Sequence, residues 1–201
     1  MQTNNNKLHD MVGTAILAAI VILLQAFVVI PLGAFSITLT LVPIIIGSII
    51  YGARTGAFLG GVFGVTVAVQ VVTGAMGVLS FMMFESHPVL TMLLCVLKGV
   101  AAGLVSGLIW GAFKNTKHRS LGVIISSVFC PIVNTGIFVC GLFAFYYPLM
   151  SQFASENAYA STAAFIFVGI VGLNFLVEFI INVALIPVVL RLINILTPKK
   201  V

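Results

Sequence analysis

Charged residues are scarce in this chain, and acidic residues are the scarcest of them. Of 201 residues, nine are Lys or Arg and four are Asp or Glu, whereas 61% are hydrophobic. A soluble domain carries roughly 25% charged residues. The composition therefore excludes an ordinary water-facing domain and predicts an integral membrane protein with room for about six spans.

The residue types that usually carry catalysis or bind metals are also few. The three cysteines fall in apolar runs, with neither CxxC spacing nor clustered histidines, which argues against a disulfide framework and a metal site. HExxH, GxSxG and Walker A motifs do not occur. We therefore expect no enzyme, no resident cofactor and no ATPase in this chain, and the net charge of +5 gives no indication of nucleic acid.

The apolar runs predict an all-α membrane protein with one six-helix domain over residues 1–201. Pro31 and Gly33 end the first run, and the second is short for a span and contains Pro43. The loop at 73–88 is aromatic and Met-rich, which is unusual for a loop that faces water. The predicted helices span residues 11–31, 38–52, 55–72, 89–113, 121–147 and 162–196.

The distribution of charge predicts the orientation. With six spans, Glu85 and Glu156 fall on one membrane face, and eight basic residues fall on the other. Because basic loops stay in the cytoplasm, both termini are predicted to be cytoplasmic, and loops 31–37, 73–88 and 148–161 are predicted to face outside. The eight basic residues are Lys7, Arg54, Lys114, Lys117, Arg119, Arg191, Lys199 and Lys200.

Two ionisable residues lie inside predicted spans. Lys98 is the only basic residue deep in an apolar run, and Glu178 shares a helix face with Asn174 and Asn182 at steps of four. A carboxylate in hydrocarbon is costly unless it is paired, protonated or facing a cavity. Lys98 is the candidate partner for Glu178.

Polar side chains on five predicted helices lie at one depth. At about 1.5 Å of rise per residue, they sit roughly 22–25 Å above the basic face, and Glu178 lies deeper. Hydrogen bonds between helices are the simple explanation, above all for Gln25 and Asn182. A ligand cavity beneath an apolar lid that includes Phe81 and Phe84 is the alternative. The five residues are Gln25, Gln70, Lys98, Asn134 and Asn174.

Glycines recur every four residues in two predicted helices, a pattern that lets helix backbones approach closely in lipid. Ordinary helix packing is the expected role. The residues are Gly56, Gly60 and Gly64 in helix 3, and Gly99, Gly103, Gly107 and Gly111 in helix 4.

Two segments resemble the S components of energy-coupling factor (ECF) vitamin transporters, which are their substrate-binding membrane subunits. Ala15 and Ala19 match the family's AxxxA motif in helix 1, and residues 35–64 are similar to its helix 2–3 region. The resemblance implies a bacterial membrane protein that binds a vitamin from outside, between helices 4–6 and beneath loops 1, 3 and 5. It also implies docking through Ala15 and Ala19 on a T subunit carried by two ATPases, which use ATP.

Within that family, HPVLTMLLCVLKGVAAGLVSG and CPIVNTGIF most resemble the pantothenate-type members. Lys98 would then pair with the pantothenate carboxylate, Asn134 and Asn174 with its amide and hydroxyls, and Glu178 with a hydroxyl or with Lys98. The only Trp, Trp110, lies near the cytoplasmic end of helix 4, which argues against a flavin or thiamine cavity built on Trp.

Three other functions stay open. The chain could serve another vitamin, such as riboflavin, folate or a thiamine precursor. It could be a proton-coupled carrier in which Glu178 titrates, although no clear inverted repeat supports this. It could also be a membrane scaffold that transports nothing.

Overall fold

The computed structural model describes residues 2–27, 29–32 and 35–196, which are mostly helical. A single long helix comes first, followed by a short hairpin, a short apolar helix and three long helices with small helices between them. The elements are α1 (Gln2–Phe27), β1 (Val29–Leu32), β2 (Phe35–Thr38), α2 (Leu41–Tyr51), α3 (Ala53–Val72), α4 (Val78–Ser86), α5 (Pro88–Phe113), α6 (Arg119–Phe145) and α7 (Tyr147–Glu156).

The remainder of the described chain is one interrupted helical segment. It consists of α8 (Thr162–Ala164), a π-helix (Phe165–Gly172), α9 (Leu173–Ala184) and α10 (Ile186–Leu196). A single helix was predicted over 162–196. Its interruptions fall at a run with two glycines, Gly169 and Gly172, and at Leu185, just before Pro187 in the first turn of α10. Proline in a first turn starts a new helix more readily than it continues an old one.

Among the described residues, five helical segments are long and apolar enough to cross a membrane. They are Lys7–Phe27, Ala53–Val72, Pro88–Phe113, Arg119–Phe145 and Thr162–Ile193. The second predicted helix corresponds to α2, which has 11 residues and is about 16 Å long, roughly half the thickness of a hydrocarbon core. The helices therefore fit a membrane protein, with α2 as a short element packed among longer ones.

A short β-hairpin interrupts the otherwise helical chain between α1 and α2. Helix 1 was expected to continue to Pro31, but α1 ends at Phe27, and residues 29–32 pair antiparallel with 35–38. Pro31 lacks the N–H that a helix would need and disfavours helical backbone at Ile30 before it. The hairpin takes up Thr38, the expected start of helix 2, so that α2 begins at Leu41.

Two predicted loops contain helices. Residues 73–88 include α4, and residues 148–161 include most of α7, which takes Tyr147 from the predicted end of helix 5. Of the eight basic residues used for the orientation, Lys199 and Lys200 lie outside the described residues.

The closest helix contact is between the backbones of α3 and α5. A Cβ atom added at Gly60 would overlap the carbonyl group of Gly99, and one added at Gly103 would overlap that of Gly56. The packing role expected for these glycines is confirmed. Gly111 differs from them, because a Cβ there would meet no atom within 4 Å.

This contact predicts that Gly60→Ala destabilises the protein while Gly61→Ala does not. The added methyl group at position 60 forces α3 and α5 apart, at a cost of about 1–3 kcal/mol. At position 61 its nearest neighbour, a Val100 methyl, is 3.5 Å away, an ordinary contact. Thermal unfolding of the two purified variants in the same detergent measures the difference. Equal melting temperatures for both variants would contradict the close contact.

Candidate ligand-binding site

A cavity lies between α3, α5, α6 and the segment formed by the π-helix and α9, with α4 contributing to its wall. Its volume, taken as the space open to the centre of a water molecule, is about 70 Å³.

One face of α5 forms a wall of the cavity, and this face includes the basic residue Lys98. Thr91, Leu94, Cys95 and Lys98 line the cavity at spacings of three and four, which place them on one side of a helix. Gly99, the next residue, contacts α3. The glycine contact thus fixes the rotation of α5 that turns Lys98 into the cavity.

Aromatic rings surround the Lys98 ammonium group. Its Nζ lies 4.8 Å from the centre of the Phe138 ring and 5.9 Å from that of Phe63, and both rings line the cavity. Ring faces attract a cation but do not neutralise its charge. The two rings therefore hold the Lys98 ammonium group at the cavity wall, in the same cavity as Glu178.

Two amide side chains offer acceptor oxygens. Asn134, which is 6% exposed, and the partly buried Asn174 both line the cavity. Their Oδ1 atoms are buried and have no hydrogen-bond partner among the described residues. A buried acceptor left without a donor costs about 1–3 kcal/mol. A ligand with N–H or O–H groups at these positions would remove that cost.

Glu178 and Asn182, on the helix 6 face, differ in their position relative to the cavity. Glu178 lines the cavity and is buried, whereas Asn182 does not line it. Asn182 Nδ2 donates to the backbone oxygen of Glu178 at 2.7 Å. The predicted pairing of Glu178 with Lys98 stays a prediction, although both groups face the same cavity.

Gln70 does not line the cavity. Its Oε1 accepts from Gln25 Nε2 at 2.7 Å, and its Nε2 donates to the backbone oxygen of Gln25 at 2.8 Å. Thr40 completes the cluster by donating to Gln25 Oε1 at 2.9 Å. The two glutamines bond α1 to α3, so hydrogen bonding between helices is the right interpretation for Gln25. The polar layer is therefore two separate groups.

The predicted lid residues Phe81 and Phe84 do not line the cavity. Phe84 packs against the hydrophobic core and Phe81 is half-buried. Met76, Ser80 and Met83 line the cavity in their place. Because most of this segment is helix rather than loop, residues at spacings of three and four face inward together.

Thr91 forms hydrogen bonds at the end of the cavity nearest α4. Its hydroxyl oxygen lies 2.7 Å from the Tyr146 hydroxyl and 2.9 Å from the carbonyl oxygens of Met83 and His87. These bonds connect α4, α5 and the end of α6. The sequence interpretation missed Thr91, although it stands two turns before Lys98 on the same face.

Phe138 and Phe63 line the cavity and were not predicted to do so, although their spacing in the sequence points to it. Phe138 follows Asn134 by four residues, and Phe63 lies on α3 one turn before Val67, another lining residue. From helix 3, Gln70 was expected in the cavity, whereas α3 contributes Phe63, Val67 and Val71. Of the described residues between 148 and 161, none lines the cavity.

The two alanines of helix 1 lie on its outer surface. Ala15 and Ala19 are exposed, while Leu17 and Ala18 pack against the core. The AxxxA face therefore does not pack against the protein's own bundle in this structure.

Comparison with known proteins identifies the family. No curated protein matches the sequence. Residues 9–190 match the family described as ECF transporter, substrate-specific component. Members of this family are transport subunits rather than enzymes, and membership implies association with T and ATPase subunits. The chain therefore belongs to the ECF transporter substrate-specific component family and is the substrate-specific membrane subunit of such a transporter.

Proposed function

We propose that this subunit binds pantothenate and delivers it to an ATP-driven ECF importer. The observation that carries the proposal is the composition of the cavity, in which the Lys98 ammonium group, the Glu178 carboxyl group and two unpartnered amide oxygens lie in mainly apolar walls. Such a cavity fits a small anion with hydrogen-bond donors.

Pantothenate has these groups in a suitable combination. Its single carboxylate would pair with Lys98 in a charge-assisted hydrogen bond. Its amide N–H and two hydroxyls would donate to the oxygens of Asn134, Asn174 and Glu178. Its two methyl groups would lie against apolar lining residues such as Leu94 and Ile170.

The lining of the cavity also bears on which vitamin it takes. Trp110 lies outside the cavity, so an indole platform for a flavin or thiamine ring is not available there.

Transport would depend on partners. We propose that the subunit takes up pantothenate from outside a bacterial cell, with both its termini in the cytoplasm. It would dock through Ala15 and Ala19 on a T subunit, and the two associated ATPases would supply the energy. The exposure of both alanines supports this docking role.

One prediction from the proposed function concerns the charge of Lys98. Lys98→Met keeps an unbranched chain of similar length but removes the ammonium group. Loss of the carboxylate contact should weaken pantothenate binding by at least about tenfold, or about 1.4 kcal/mol. Pantothenol, in which an alcohol replaces the carboxylate, should bind the wild-type and Lys98→Met proteins with similar affinity.

Calorimetry of both proteins with both ligands separates binding from structure. Lys114→Met, outside the cavity, is the control for loss of a positive charge. Equal weakening of both ligands by Lys98→Met would assign Lys98 a structural role. Unchanged pantothenate affinity would remove it from the site.

The second prediction concerns docking. Ala15→Trp and Ala19→Trp should abolish vitamin uptake by cells while the purified proteins still bind pantothenate, because a bulky side chain separates the partner surfaces without reaching the cavity. Ile132→Trp, at an exposed position on α6, is the control and should leave uptake unchanged. Loss of binding in the alanine variants would contradict the docking role.

The same uptake assay distinguishes a proton-coupled carrier. An ECF subunit needs its T subunit and ATPases, so deletion of their genes should stop uptake. Uptake that persists without them and stops with a protonophore, while cellular ATP is maintained, would favour a carrier in which Glu178 titrates.

A further inference from the structure

A second, larger cleft opens at the opposite end of α5 from Thr91. It lies where α2 ends and α3 begins, and where α5 ends and α6 begins. Its volume is about 870 Å³, and it is open to the outside of the protein. Because it lies where candidate membrane spans end, it is expected at a membrane surface, and by the charge distribution this is the cytoplasmic surface.

Two basic residues line this cleft. Lys114 and Arg119 line it, together with the polar residues Asn115 and Thr116. The guanidinium carbon of Arg119 lies 5.4 Å from the centre of the Trp110 ring, which holds this cation along the cleft wall. No Asp or Glu is among the described residues that line the cleft. Its charge therefore complements an anion.

Apolar residues also line the cleft. They are Ile49, Ile50 and Leu108, and Leu108 is 58% exposed. A free phosphate ion would use only the basic and polar residues. A molecule with an anionic head and a hydrocarbon tail would also use the apolar ones.

We propose that this cleft binds an anionic phospholipid of the surrounding membrane. Its phosphate group would lie against Lys114, Arg119 and Thr116, and its acyl chains would extend along Ile50 and Leu108. Basic pockets between membrane helices on the cytoplasmic side are suited to such headgroups. The proposal does not depend on which vitamin the subunit binds.

Gly111 gives a way to fill the cleft without disturbing the fold. It lines the cleft, and a Cβ there would meet no atom within 4 Å. Gly111→Leu would therefore extend into the space the lipid needs. Gly136 on α6 is likewise open and lies outside the cleft, so Gly136→Leu is the matched control.

The test is native mass spectrometry of the detergent-purified full chain with phosphatidylglycerol or phosphatidylcholine. We expect retention of phosphatidylglycerol in preference to phosphatidylcholine. Lys114→Gln should weaken phosphatidylglycerol binding about fivefold, as expected for one basic contact near the surface. Lys117→Gln, an exposed lysine in the same connection that does not line the cleft, should have little effect. Gly111→Leu should abolish the preference, and Gly136→Leu should preserve it.

Several results would overturn the proposal. Equal loss of phosphatidylglycerol binding in Lys114→Gln and Lys117→Gln would show that the lipid is attracted to a basic surface and does not occupy a defined site. Competition by glycerol phosphate at concentrations comparable to the lipid would point to a free phosphate ligand. Unchanged lipid binding in Gly111→Leu, together with loss of assembly with the T subunit, would make the cleft a protein-docking surface.

Discussion

The contact between the backbones of α3 and α5 constrains most of this structure. Gly60 and Gly99, and Gly56 and Gly103, bring the two helices so close that no side chain fits between them. Small residues make such contacts possible in lipid, where no hydrophobic effect drives helices together. The contact also fixes the rotation of α5. Lys98, beside Gly99 in sequence, consequently turns into the cavity rather than toward lipid.

The length of α5 separates the two binding regions. Thr91 and Lys98 line the cavity in one half of the helix, and Leu108 and Gly111 line the cleft near its other end. The glycines between them pack against α3. A single rigid helix thus supports both the proposed vitamin site and the proposed lipid site, without a described cavity that joins them.

The sequence was sufficient to predict membrane character and the main polar residues of the cavity, because both depend on rare features. A charged residue in a long apolar run is unusual, and Lys98, Glu178 and the two asparagines stand out for that reason. The same reasoning also placed Gln70 in the cavity. Gln70 lies at the expected depth, but it does not line the cavity and is hydrogen-bonded to Gln25 instead. Depth along a helix can be counted from a sequence, whereas the direction of a side chain depends on packing.

Features set by local backbone conformation were predicted less well. The strands 29–32 and 35–38 and the helix α4 lie in segments that were predicted to be helix ends and loops. A short apolar run is compatible with either strand or helix. The error in the lid residues followed directly, since a helix at 78–86 turns Met83 inward and not Phe84.

The most direct test of the central claim is an experimental structure of the purified chain with pantothenate bound. The account predicts the carboxylate at a charge-assisted hydrogen-bond distance from Lys98 Nζ, about 2.7–2.9 Å, with ligand donors at the Oδ1 atoms of Asn134 and Asn174. A ligand bound outside this cavity, or one with its carboxylate turned away from Lys98, would contradict the account.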